Sequence, residues 1–90
     1  MQKRAQKNIV VICLENEGYK VSLETAKLYI ALRDAVAKKH GMLRVIDESG
    51  EDYLYPASFF AAIELPDELH KAVFATVQHR NREAVSYEFA

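Results

Sequence analysis

LRVIDESGEDYLYPASFF, residues 43–60, is the stretch whose reading decides the fold. Val45 and Ile46 lead as a strand into Asp47-Glu48-Ser49-Gly50, where Asp, Ser and Gly favour a turn. Gly50 is the residue that takes a positive φ at low steric cost and so closes a hairpin. Tyr53 and Tyr55 resume a period-two pattern, and Pro56 ends it because it has no N–H to give to a ladder. A strand, a tight acidic turn, an aromatic strand and a Pro-led corner thus fit into eighteen residues.

Upstream, Ile9, Val10, Val11 and Ile12 are β-branched, stiff in a helix and suited to a pleated surface, so residues 8–15 are expected to form a buried strand. Lys3, Arg4 and Lys7 before this run imitate a secretory leader. The run Ile9 to Leu14 is shorter than the roughly 7 to 15 residues of a secretory core and ends at Glu15 without a small-residue cleavage pattern. It is also too short to cross a bilayer.

Asn16, Glu17 and Gly18 mark a loop, and Ser22 is a possible helix cap. The following segment allows two parses. Ala26, Leu28, Ala31, Leu32, Ala35, Val36 and Ala37 suit one helix over residues 23–39 that stops at Gly41. Alternatively, KLYIALR (27–33) is a strand with Leu28, Ile30 and Leu32 on one face, followed by a short helical turn over 34–40 capped by Asp34. Local propensity favours the first parse.

Downstream, residues 61–65 complete a short strand before Pro66. Pro66-Asp67-Glu68 is a helix start with acids at the positive end of the dipole. Leu69, Val73 and Val77, widened by Ala72 and Thr76, make an apolar stripe on a helix expected over 66–78. Val85, Tyr87 and Phe89 alternate with Ser86 and Glu88, which hints at a strand in a terminal tail.

Ninety residues, half of them hydrophobic, suit a single domain that needs neither disulfide nor metal. The expected organisation is a flexible N-terminus over 1–8, one domain over 9–78 and a mobile C-terminal tail over 79–90. A formal net charge of −1 removes the bulk electrostatic case for nucleic acid or an anionic membrane. Cys13 is the single cysteine and lies in an apolar run, which points to a buried reduced thiol and a cytoplasmic setting.

The order strand, long loop, strand, linker, tight hairpin, Pro-containing corner and final strand resembles that of Src-homology-3-like small barrels. YPASFFAAI, residues 55–63, looks like the corner those domains build, and residues 43–65 are similar to small uncharacterised bacterial proteins carrying an RVIDESGEDYLYP segment. The resemblance implies a mainly β (α+β) fold, a five-stranded barrel with a C-terminal helix, and it favours the strand parse of 27–33. It also implies a groove for Pro-rich peptides, to which Pro56 and Phe59 correspond and to which Tyr19 or Tyr29 adds a wall. This chain has no tryptophan, and the position where such domains place one falls near Met42.

These residues support a noncatalytic protein-interaction module that binds another protein, or a second copy of itself, through Tyr53, Tyr55, Pro56 and Phe59 or through the final helix. A regulatory nucleic-acid-binding role using Lys3, Arg4, Lys7, Arg80 and Arg82 is the alternative. Asp47, Glu48, Glu51 and Asp52 cluster at one turn, but their spacing differs from a calcium loop, and a solvated turn that discourages edge pairing is the expectation. Tyr53 and Tyr55 are expected on one face, half packed with hydroxyls reaching water. His40, His70 and His79 stand apart in sequence, no Gly-rich phosphate loop, paired-Cys motif or nucleophile elbow is present, and no enzyme activity, cofactor or metal is expected.

Overall fold

The computed structural model describes the backbone of residues 8–89 and the side chains of residues 8–80. Five strands, β1 (Asn8–Cys13), β2 (Leu28–Leu32), β3 (Met42–Ile46), β4 (Asp52–Pro56) and β5 (Phe60–Ile63), form one antiparallel sheet in the order β4-β3-β2-β1-β5. Helix α1 (Ala35–Lys39) lies between β2 and β3, a 3-10 turn (Ala57–Phe59) joins β4 to β5, and helix α2 (Asp67–Phe89) follows. The fold is therefore mainly β with a C-terminal helix, and the sheet is open, with β4 and β5 at its two edges. Among the described residues no helix is long and apolar enough to cross a membrane.

The unbroken apolar run of β1 follows from its place in the sheet. It pairs with β2 from Asn8↔Leu32 to Ile12↔Leu28 and with β5 from Val10↔Ile63 to Cys13↔Phe60. One face carries Val11, Cys13, Tyr29, Ala31, Val45, Tyr55 and Phe60, closed over by Leu23 from the β1–β2 loop. Val10 and Ile30 belong to a second cluster, with Val73, Phe74 and Val77 of α2. A strand covered on both sides has no polar face to alternate with.

Residues 22–40 take the strand parse. Tyr29, Ile30 and Ala31 are buried in β2, and sheet burial on both faces outweighs the helix propensity of the alanines around them. Asp34 caps α1 by accepting the Ala37 N–H at 3.0 Å. Gly41, at φ +70, turns the chain out of α1 and into β3.

The hairpin forms as its residues predict, with Gly50 at φ +87 and its N–H donating to the Asp47 carbonyl at 2.9 Å. Helix α2 differs from expectation in extent and facing. Its backbone runs to Phe89, so residues 85–89 are helical where alternation hinted at a strand. The face toward the sheet is Val73, Phe74 and Val77, while Leu69 is 49% exposed and Ala72 and Thr76 are also exposed. Arg80 fastens the helix to β2, donating from Nη2 to the Leu28 carbonyl at 2.9 Å with its guanidinium 5.4 Å from the Tyr29 ring centre. Asn8 opens β1; the remainder of the expected flexible N-terminus, residues 1–7, lies outside the described residues.

Candidate interaction site at the aromatic corner

Tyr19, Tyr55 and Phe59 come together where the β1–β2 loop meets the 3-10 turn. The Tyr19 ring lies edge-on to Tyr55, with centres 5.0 Å apart, and 6.0 Å from Phe59. Edge-to-face pairs of this kind contribute about 0.5–1.5 kcal/mol beyond area burial. The loop is tied to the corner by the Leu14 N–H donating to the Phe59 carbonyl at 2.7 Å. It also presents Leu14, 59% exposed, and Tyr19, 41% exposed.

The four residues expected to bind a partner divide in the structure. Tyr55 is 3% exposed and belongs to the core, packing on Phe60 at 6.3 Å. Its hydroxyl donates to Asp47 Oδ2 at 2.6 Å and lies 2.9 Å from Ser22 Oγ, so it does not reach water as the period-two pattern implied. Burial, followed by the Asp47 hydrogen bond, pushes the Tyr55 phenol up to about 12. Tyr53 is half exposed on edge strand β4 and donates to Glu51 at 2.8 Å; no ring contact joins it to the Tyr19 group among the described residues. Pro56 ends β4 and is half-buried, and Phe59, also half-buried, packs against the cluster. Of the four, Phe59 thus sits at the corner surface with Tyr19 as its wall, and Pro56 precedes the turn that carries it. Leu14 was missed because its position at the end of an apolar strand points inward by pattern, whereas β1 ends one residue earlier, at Cys13.

The acidic turn is solvated only in part, at Glu51 and Asp52. Asp47 is 2% exposed and accepts from the Ser49 N–H at 2.9 Å, Ser49 Oγ at 2.6 Å and the Tyr55 hydroxyl. Glu48 accepts from the Tyr29 hydroxyl and pairs with Lys27 at 2.9 Å, while the Glu24 N–H donates to the same Tyr29 oxygen at 2.8 Å. Burial, with the Glu48 hydrogen bond second, pushes the Tyr29 phenol strongly upward. For Glu48, burial opposes the charged form, but the hydrogen bonds from Tyr29 and Lys27 outweigh it and hold the carboxyl below its ordinary value. The two acids therefore lock the long loop onto the hairpin, which fixes Tyr19 and Leu14 against the corner. Glu51 and Asp52 remain exposed, and no group of His, Cys, Asp and Glu suited to a metal occurs among the described residues.

Of the basic residues weighed for nucleic acid, Arg80 is engaged by Leu28 and Tyr29, and Lys3, Arg4, Lys7 and the Arg82 side chain lie outside the described residues. His70 sits on α2 with a buried Nε2 that has no partner among the described residues, and Cys13 is buried, with its thiol donating to the Glu15 carbonyl. Burial raises that thiol's pKa, which disfavours the thiolate a nucleophile needs. No family model, no curated protein and no solved structure matches the chain.

Proposed function

We propose that the chain is a noncatalytic interaction module of the Src-homology-3-like small-barrel kind, docking an extended protein segment on Leu14, Tyr19, Pro56 and Phe59. The observation that carries this reading is the exposure of Leu14 and Tyr19 beside the half-buried Phe59. The hydrogen-bonded frame of Asp47 and Glu48 holds that loop in place. A rigid, partly apolar surface loses little conformational entropy on binding, which is what a docking site for an extended segment requires. The chain order of strand, long loop, strand, hairpin, corner and strand supports the small-barrel reading. A cytoplasmic setting is part of the same proposal, resting on the reduced thiol of Cys13.

A tagged pull-down from the native host tests it, with a Tyr19→Ser, Phe59→Ser double variant run beside the parent after circular dichroism shows that the variant folds. The expected result is a protein captured by the parent and lost by the variant. Equal capture by both, or salt-sensitive capture of nucleic acid, would overturn the reading.

A further inference from the structure

The free edge of β4 carries unpaired backbone. Along an antiparallel ladder, bonded and non-bonded residue pairs alternate. At one end of the β3–β4 ladder the Ala57 N–H donates to the Gly41 carbonyl at 2.9 Å, and at the other the Asp47 N–H donates to the Glu51 carbonyl at 3.0 Å. Stepping inward from either end through the register makes Leu43↔Tyr55 and Val45↔Tyr53 the bonded pairs. The backbone groups of Asp52, Leu54 and Pro56 therefore face away from β3. Because Pro56 has no N–H, the edge offers the N–H groups of Asp52 and Leu54 and the carbonyls of all three residues. Among the described residues, no backbone group outside β3 hydrogen-bonds to them. Asp52, Tyr53 and Leu54 are also exposed at their side chains.

We propose that this edge takes up an extended segment of another protein as an added strand, cationic beside Glu51 and Asp52 and apolar beside Leu54. An open strand edge is a template for main-chain pairing, and the charges along it choose the partner. Glu51 meets only the neutral Tyr53 hydroxyl among the described residues, while Asp52 shares Arg44 with Asp34. The two carboxylates at the head of β4 thus have part of one guanidinium between them, and a cationic strand supplies what they lack. A second copy fits less well. Pairing Asp52 with Leu54 of a second copy makes the two Asp52 residues diagonal neighbours roughly 7–8 Å apart, and pairing it with Pro56 of a second copy forfeits a bond for want of the N–H. The edge ends at Pro56, where the aromatic corner begins, but the pairing draws on the β4 backbone and not on the Tyr19 and Phe59 rings, so it stands or falls apart from the docking site there.

The test is a heteronuclear NMR titration of the full chain with the capped peptide Lys-Val-Lys-Val-Lys-Val, with Glu-Val-Glu-Val-Glu-Val as the comparison. The lysine peptide is expected to give saturable shifts centred on the Asp52 and Leu54 amides, to slow their hydrogen exchange several-fold, and to bind about tenfold more tightly than the glutamate peptide. Leu54→Pro removes an outward N–H and leaves the β3 ladder whole, a change that edge strands tolerate, so it should fold and lose most of the binding. Glu51→Lys, at an exposed position, should fold and weaken the lysine peptide several-fold, and it decides alone if Leu54→Pro does not fold. The Tyr19→Ser, Phe59→Ser variant should bind the lysine peptide as the parent does, which separates this edge from the corner. Absence of saturable binding at millimolar peptide, shifts centred elsewhere, loss in the corner variant, or dimerisation through β4 without peptide would overturn the proposal. Equal affinity for the two peptides, or no change in Glu51→Lys, would overturn the cationic assignment.

Discussion

Asp47 is the side chain on which the two halves of the molecule depend. Its carboxylate satisfies Ser49 within its own turn and Tyr55 on the neighbouring strand, and the Tyr55 hydroxyl in turn lies beside Ser22 of the long loop. Removing a buried acceptor leaves donors unpaired at a cost of roughly 1–3 kcal/mol each. Asp47→Ala is therefore expected to destabilise the fold by about 3 kcal/mol in urea unfolding. Tyr55→Phe, which deletes a hydroxyl but keeps the ring, should cost about 1–2 kcal/mol. A loss under about 0.5 kcal/mol for Asp47→Ala would show that the carboxylate is solvated after all. Gly50 was legible as a turn residue because its requirement is local. The burial of Asp47 was not, since Asp is equally at home in an exposed turn and the partner that draws it inward is Tyr55 of the next strand, itself held beside Ser22 of the long loop.

At the scale of elements, β2 and α2 show where local propensity yields. Residues 28–32 form a strand because β1 and β3 flank them on both edges, through pairs such as Val10↔Ile30 and Ile30↔Ile46. The short helix α1 survives next to them because Asp34 caps it and Gly41 releases it. In α2, spacing alone placed Leu69, Val73 and Val77 on one stripe, yet the sheet meets the helix through Val73, Phe74 and Val77. Val77→Ala, at a position 3% exposed, should cost about 2 kcal/mol. Leu69→Ala, at 49% exposure, should change stability by less than about 0.5 kcal/mol. Equal effects of the two in chemical denaturation would mean that the helix packs on its originally expected stripe.

For the whole molecule, the ionisable groups joining the long loop to the hairpin set a stability plateau in pH. Glu48 has a folded pKa below its ordinary 4.5, because the hydrogen bonds from Tyr29 and Lys27 exceed the opposing effect of burial. Its contribution is present above pH 4.5 and is lost as pH falls through the depressed folded value. Tyr55 is displaced the other way, from 10.0 to about 12, by burial and then by Asp47, and Tyr29 is raised as well. Both phenols' contributions are complete below pH 10.0; that of Tyr55 is lost as pH rises through about 12, and that of Tyr29 at higher pH still. Melting temperature measured against pH should fall at both ends, with Glu48→Gln reducing the acid limb and Tyr55→Phe reducing the alkaline one. An acid limb unchanged in Glu48→Gln would assign that loss to other carboxylates.

What the sequence determined by itself was whatever depends on neighbours in the chain. The β-branched run made β1 a strand, Asp-Glu-Ser-Gly closed the hairpin and Pro66-Asp67-Glu68 started α2. Of the proposed interaction surface, Phe59 and Pro56 were named through the resemblance of residues 55–63 to a small-barrel corner. The tertiary structure alone decided that Tyr55 and Asp47 turn inward, that Leu14 and Tyr19 stay outward, and that Phe74 rather than Leu69 meets the sheet. Each of those outcomes is a matter of which face is covered, and covering is done by segments distant in sequence, whose approach no local pattern encodes.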